Sequence, residues 1–266
     1  MEYIQFFGYV GALAIGVVLG LMGSGGSLMA VPIFTYMFHI NPDTTTAYSL
    51  FVVGVVATFG VFQNLKKGLV DFKIALVFAL PCFATVYVVR RFLMNQIPDE
   101  ITRFNDFVLT KNVILMLLLV FLMTLAAIAM LRKTKPENDT INHKYAITVF
   151  VIGGVFIGFL TALVGIGGGF LIIPILVLYI NMPIQKAIAT SLLIIALKSL
   201  IGFLGDINHI AMNWSFLLAF TGIAVLGIFL GMHLATIFNG KKLKKYFAYF
   251  LIVLSVCIFS KEILFI

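Results

Sequence analysis

The chain has 266 residues, of which 62% are hydrophobic and 11% charged, against roughly 45–50% and about 25% in soluble domains. That balance excludes an ordinary soluble enzyme or binding domain and leaves an integral membrane protein. The formal charge of +8 does not point to nucleic acid, because the basic residues fall in short loops between apolar runs, where orientation signals belong.

Apolar runs near 20 residues recur along the chain, enough at ~1.5 Å per residue to cross a ~30 Å hydrocarbon core, so helices rather than a barrel carry it. The first run, 4–22, contains Ala12-Leu13-Ala14 as a candidate cleavage sequence, yet no Lys or Arg precedes it. This span is therefore expected to be retained. Runs at 28–38, 45–64, 71–94 and 109–131 follow, with a polar loop from Asn95 to Asp106 before the last of them. The most polar stretch, Arg132 to Thr140, is the natural linker. Beyond it come runs at 145–164, 169–180, 186–205, 214–237 and 246–264. The predicted organisation is a first transmembrane repeat over 1–131, a linker over 132–144 and a second repeat over 145–266. Cys82 and Cys257 lie in apolar runs with no repeat relation, so neither a disulfide nor a metal site is indicated.

The repeat reading rests on a glycine motif. Gly23-Ser24-Gly25-Gly26-Ser27, closed by Pro32, returns 142 residues later as Gly165-Ile166-Gly167-Gly168-Gly169, closed by Pro174. The same offset places Gly16 on Gly158, Ala47-Tyr48-Ser49-Leu50 on Ala189-Thr190-Ser191-Leu192, Gly60 on Gly202, and Asp71-Phe72 on Asn213-Trp214. The predicted fold is an all-α polytopic membrane protein of two five-segment repeats, each with a short glycine-broken helix, a layout of secondary transporters. Leu28 to Phe38 spans ~16 Å as a helix, about half the hydrocarbon core. Such a segment is either a half-helix or a full crossing completed by extended residues, and the sequence leaves both open.

With the N-terminus outside and five crossings per copy, twelve Lys and Arg fall in cytoplasmic loops. These are Lys66, Lys67, Lys73, Arg132, Lys133, Lys135, Lys144, Lys186, Lys241, Lys242, Lys244 and Lys245. Arg90, Arg91, Arg103, Lys111 and Lys261 fall outside, so the charge bias supports this orientation. An odd number of crossings makes the second copy inverted.

The glycines let the backbone leave helical geometry, and the helix that follows turns its free N–H groups and positive dipole end to the break. Two such ends make a candidate site for a small anion between Ser24–Ser27 and Ile166–Gly169. The competing reading is that the glycines serve only close helix packing. Lys198 is the one charge deep within a run, on a stripe with Ser191, Gly202 and Gly205, where it either offsets an anion's charge or snorkels to the interface. Ser49, Thr190 and Ser191 add candidate hydroxyl donors, and Thr44, Thr45 and Thr46 read as helix caps. His39 and His233 read as interfacial or packing residues. No Asp or Glu lies in mid-span, so a carboxylate proton relay is not indicated. An intramembrane enzyme is disfavoured: there is no HExxH, and Ser191 and Lys198 stand two turns, ~10.5 Å, apart, too far for direct proton transfer.

The paired glycine motifs, Ala47-Tyr48-Ser49 and Ala189-Thr190-Ser191, and the Asp71-Phe72 and Asn213-Trp214 starts resemble the sulfite exporter TauE/SafE family, also called toluene sulfonate uptake permeases. The resemblance implies a carrier in the plasma membrane of a prokaryote, moving sulfite, sulfonates or related anions without a cofactor. Its implied partners are the anion and the lipid bilayer. Alternatives are a carrier of a non-sulfur anion and a non-transporting membrane assembly factor. The first copy departs from the family pattern at Ser24, Ser27 and Tyr48.

Overall fold

The computed structural model describes residues 2–40, 42–89, 92, 100–104, 107–131, 143–164, 169–178, 182–206, 212–238 and 240–264. The linker and the second glycine cluster at 165–168 lie outside these residues, as does most of the loop preceding Asn213. Ten helices run in chain order: α1 (Glu2–Met22), α2 (Gly26–Pro32), α3 (Pro42–Lys66), α4 (Phe72–Val88), α5 (Lys111–Leu131), α6 (His143–Val164), α7 (Gly169–Leu178), α8 (Ile184–Asp206), α9 (Trp214–Ile237) and α10 (Gly240–Leu264). The polar loop between α4 and α5 holds a short antiparallel hairpin, β1 (Glu100–Phe104) and β2 (Phe107–Thr110), which apolar periodicity did not signal. Among the described residues, Thr44–Lys66, Ile184–Leu204, Trp214–Ile237 and Lys242–Ser260 are long and apolar enough to cross a membrane.

The helices separate into two compact units, and each draws on both halves of the chain. The first contains residues 1–76 and 182–243, and the second contains 77–181 and 244–266.

In the first unit, α1 and α9 run parallel with their backbones in contact. Gly16 and Gly20 of α1 face Gly227 and Gly231 of α9, both pairs at i, i+4 spacing. A Cβ on Gly16 would collide with the Ala224 carbonyl oxygen, and one on Gly20 would sit 2.5 Å from that of Ile228. Cβ atoms on Gly227 and Gly231 would collide with the carbonyl oxygens of Leu13 and Val17. Small residues at this spacing let helices approach to backbone contact in a membrane, where dispersion and packing replace the hydrophobic drive. The second unit has the same device: Cβ atoms on Gly154 and Gly158 of α6 would lie 2.7 and 2.6 Å from the Phe78 and Cys82 carbonyl oxygens of α4.

Pro32 removes one amide from the short helix, and the chain widens into a π-helical segment over Ile33–Met37. Gly26 packs on Ile15 and Leu19, Gly11 on Ile33, and Gly8 on Phe38, so this segment runs antiparallel to α1. Helix α3 runs antiparallel to α8, with Gly54 facing Leu200, Gly60 facing Leu192 and Gly202 facing Leu50. Helix α3 ends in a turn at Gly68, where φ is +66°, with the Lys67 and Leu69 amides donating to the Asn64 carbonyl. Asp71 and Asn213 cap α4 and α9, accepting from the Ile74 and Phe216 amides at 3.0 and 3.2 Å.

The glycine contact sets a graded expectation along α9. Gly227→Val should overpack the α1 interface and lower stability by at least ~1–3 kcal/mol. Gly222→Val, whose Cβ meets nothing within 4 Å, should leave it unchanged. Thermal unfolding of the two purified variants in detergent checks this, and equal melting temperatures would refute the assignment.

Candidate substrate site

The first glycine motif forms a sharp break between α1 and α2. Gly23 closes α1 by donating its amide to the Leu19 carbonyl at 2.7 Å, and its φ of +71° lies in the left-handed region that only glycine adopts freely. A Cβ there would also stand 2.8 Å from Ser191 Oγ and 2.9 Å from the Ile188 carbonyl oxygen. The break is thereby seated on α8, about 10 Å from that helix's start at ~1.5 Å per residue. Gly25 and Gly26 are buried in it.

Ser24 is fully buried, and its Oγ finds no hydrogen-bond partner among the described residues. A hydroxyl in that position costs about 1–3 kcal/mol unless something supplies a bond. The neighbouring hydroxyls are committed. Ser27 Oγ donates to the Ser24 carbonyl at 3.1 Å, and Ser191 Oγ donates to the Ile188 carbonyl at 2.9 Å, with the Gly23 carbonyl at 3.5 Å. Thr190 Oγ1 accepts from the Asp71 amide at 3.1 Å.

Gly23 thus seats the Ser24–Ser27 motif against Ser191 and Ile188, while Thr190 faces Asp71. Ser49 does not join them. It donates to the Thr46 carbonyl near the start of α3, some 16 Å along that helix from Gly60, the residue that faces Leu192. Lys198 is partly buried on α8, ~10.5 Å beyond Ser191. Gly167 and Gly168 lie outside the described residues. Gly169 is the buried first residue of α7, in the other unit.

Two features escaped sequence reasoning. The Tyr48 hydroxyl accepts from the Asn213 amide at 2.7 Å, while Thr190 accepts from Asp71. Tyr48 and Thr190 are 142 residues apart, as are Asp71 and Asn213, so the two bonds are related by the offset of the glycine motif: α3 holds the α9 cap and α8 holds the α4 cap. The offset aligned these residues in sequence without showing that they pair crosswise. The second feature is a cavity of about 180 Å³ lined by Gly20, Asn64, Lys67, Gln185, Ile188 and Thr236 among others. Its polar residues are scattered over three helix ends and share no local motif.

The family model of the sulfite exporter TauE/SafE matches residues 9–258. The chain belongs to the sulfite exporter TauE/SafE family. A "Probable membrane transporter protein" of Xylella fastidiosa (strain Temecula1) is 31% identical over 253 residues, covering 92% of this chain and 90% of that protein. Another, from Methanocaldococcus jannaschii, is 26% identical over 238 residues, covering 86% and 82%. YunE of Bacillus subtilis (strain 168), with the same description, is 25% identical over 245 residues, 86% of each chain. No solved structure matches. This TauE/SafE protein is thus a multi-pass membrane protein of a transporter family.

Ser24→Ala separates a binding role from a packing role. Deleting an unpaired buried hydroxyl should leave stability unchanged or raise it by up to ~1 kcal/mol, while transport falls at least tenfold. A melting curve and an uptake assay on the same preparation check both halves.

Proposed function

We propose that this TauE/SafE protein is a secondary transporter of a small sulfur-containing anion, sulfite, a sulfonate or a related oxyanion, across the plasma membrane of a prokaryote. The observation that carries the reading is the buried, unpartnered Ser24 hydroxyl in a glycine-rich break seated on Ser191. The break offers a hydrogen-bond donor inside a membrane protein, where a desolvated anion needs donors aimed at it. Lys198 lies on the helix that seats the break, ~10.5 Å beyond Ser191, and is the cation that the sequence places within that run. The family description supplies the word sulfite, and the charge of the site supplies the rest.

The transporter is built on two inverted repeats, over 1–131 and 145–266. The crosswise pairing of Tyr48 with Asn213 and Thr190 with Asp71 supports this, because a pseudo-two-fold axis turns one bond into the other. The matched pairs Ser49 to Thr46 and Ser191 to Ile188 keep the same offset. The antiparallel course of α3 and α8 bears on the short helices. Four helices separate them, and four crossings return the chain in the opposite sense, whereas three would bring it back in the same sense. With α4, α5 and α6 each crossing once, the chain segment that carries α7, and by the repeat the one that carries α2 and its π-helical extension, counts as one crossing.

Reconstitution tests the substrate. Vesicles should accumulate labelled sulfite or a sulfonate in preference to chloride, and Gly25→Val should abolish this with little loss of protein. Uptake of none of sulfite, sulfate, thiosulfate and sulfoacetate would leave an assembly factor as the better reading. Single cysteines at Lys67, Asn208 and Lys242, in a background without Cys82 and Cys257, test the topology. An impermeant thiol reagent in intact cells should label only position 208.

A further inference from the structure

The polar cavity and the opposite end of the first unit differ in a way the anion-carrier reading does not by itself require. Helix α3 is 25 residues long, ~37 Å, so its two ends serve opposite faces of the membrane. At the Tyr48 end, six rings from α1, the π-helical segment, α3 and α9 close on one another. Phe34 and Phe220 are fully buried and 4.6 Å apart between ring centroids, Phe38 and Phe216 are 4.8 Å apart, Tyr9 and Phe38 5.7 Å, and Phe34 and Tyr48 5.8 Å. Edge and tilted ring contacts of this kind are worth ~0.5–1.5 kcal/mol each beyond their burial. The Tyr48 hydroxyl then fastens the cluster to the α9 cap.

At the Asn64 end lies the cavity. Gly20 and Ile188 are among its lining residues. Gly20 is one helical turn before the break, and the Ile188 carbonyl is what a Cβ on Gly23 would strike. Its walls carry Asn64, whose Nδ2 donates to the Gly60 carbonyl at 2.9 Å, with Gln185, Thr236 and the exposed Lys67. A volume of about 180 Å³ exceeds the ~150 Å³ that accommodates benzene, so an oxyanion of four or five heavy atoms fits. The exposed Lys67 in its lining raises the local concentration of anions over cations.

We propose that the Asn64–Lys67 cavity is the cytoplasmic access path by which a small oxyanion reaches the Gly23–Ser24 break, and that the six-ring cluster around Tyr48 is the gate that closes the outer path. The proposal rests on the anion-transport reading for its substrate and on the charge bias of the loops for its sidedness. It makes the structure a state with access from the cytoplasm.

Access can be measured without a substrate, so its failure is distinct from a failure to transport. A single cysteine, Ile188→Cys, in protein lacking Cys82 and Cys257, reports on the cavity lining. In sealed vesicles of known orientation, an impermeant anionic methanethiosulfonate should modify Cys at 188 from the cytoplasmic face and at least tenfold more slowly from the outer face. Adding Phe216→Ala, or the milder Tyr48→Phe, should raise the outer-face rate at least threefold. Lys67→Gln should lower the ratio of anionic to cationic reagent rates severalfold from the cytoplasmic face. Equal modification from both faces with the rings intact, or none from the cytoplasmic face, would overturn the access path. An outer-face rate unmoved by both ring variants would overturn the gate, and an unchanged charge ratio would remove Lys67 from the path.

Discussion

Everything in the first unit depends on the backbone contact of α1 with α9. Four glycines, at 16, 20, 227 and 231, bring carbonyl oxygens to within reach of the facing Cα atoms, at a separation that no side chain could occupy. In a bilayer such a contact has no hydrophobic drive, so its strength lies in dispersion over a large, dry interface. It fixes the end of α1, and the end of α1 is where the chain must turn.

The turn at Gly23 translates that packing into a site. Its left-handed backbone and its closeness to Ile188 and Ser191 leave one acceptable residue type. The following Ser24 is carried into the interior, where its hydroxyl has no partner among the described residues. Within the motif the glycines have different surroundings: Gly26 packs on Ile15 and Leu19, while Gly23 shapes the break.

Much of the helical order was legible. The predicted run at 214–237 coincides with α9, the run at 145–164 begins two residues inside α6, and the run at 45–64 lies within α3. Each is a long apolar segment, and α9 and α3 are bounded by the Asn213 cap and the Gly68 turn, which are local signals. The β-hairpin at 100–110 was not legible, since its pattern is brief and polar. Within the site, the association of the Gly23 motif with Ser191 was anticipated, but the separation of Ser49 was not. Sequence offset says which residues are equivalent. It does not say that α3 and α8 run antiparallel, and it is this course that puts equivalent residues at opposite ends. The cavity was illegible for a similar reason, because Asn64, Gln185 and Thr236 become neighbours only through packing. Lys198, conspicuous as a lone charge, stands a helical turn or more from the groups it was grouped with.

The central claim is that the Gly23–Ser24 break holds the anion, and the most direct measurement is calorimetric titration of purified protein with sulfite, sulfonates and chloride. The account predicts one oxyanion per chain and a preference over chloride. It also predicts loss of that binding in a folded Gly23→Ala variant, where a left-handed alanine costs roughly 1–2 kcal/mol and its Cβ crowds Ser191 Oγ. Binding in Gly23→Ala at the wild-type affinity would contradict it.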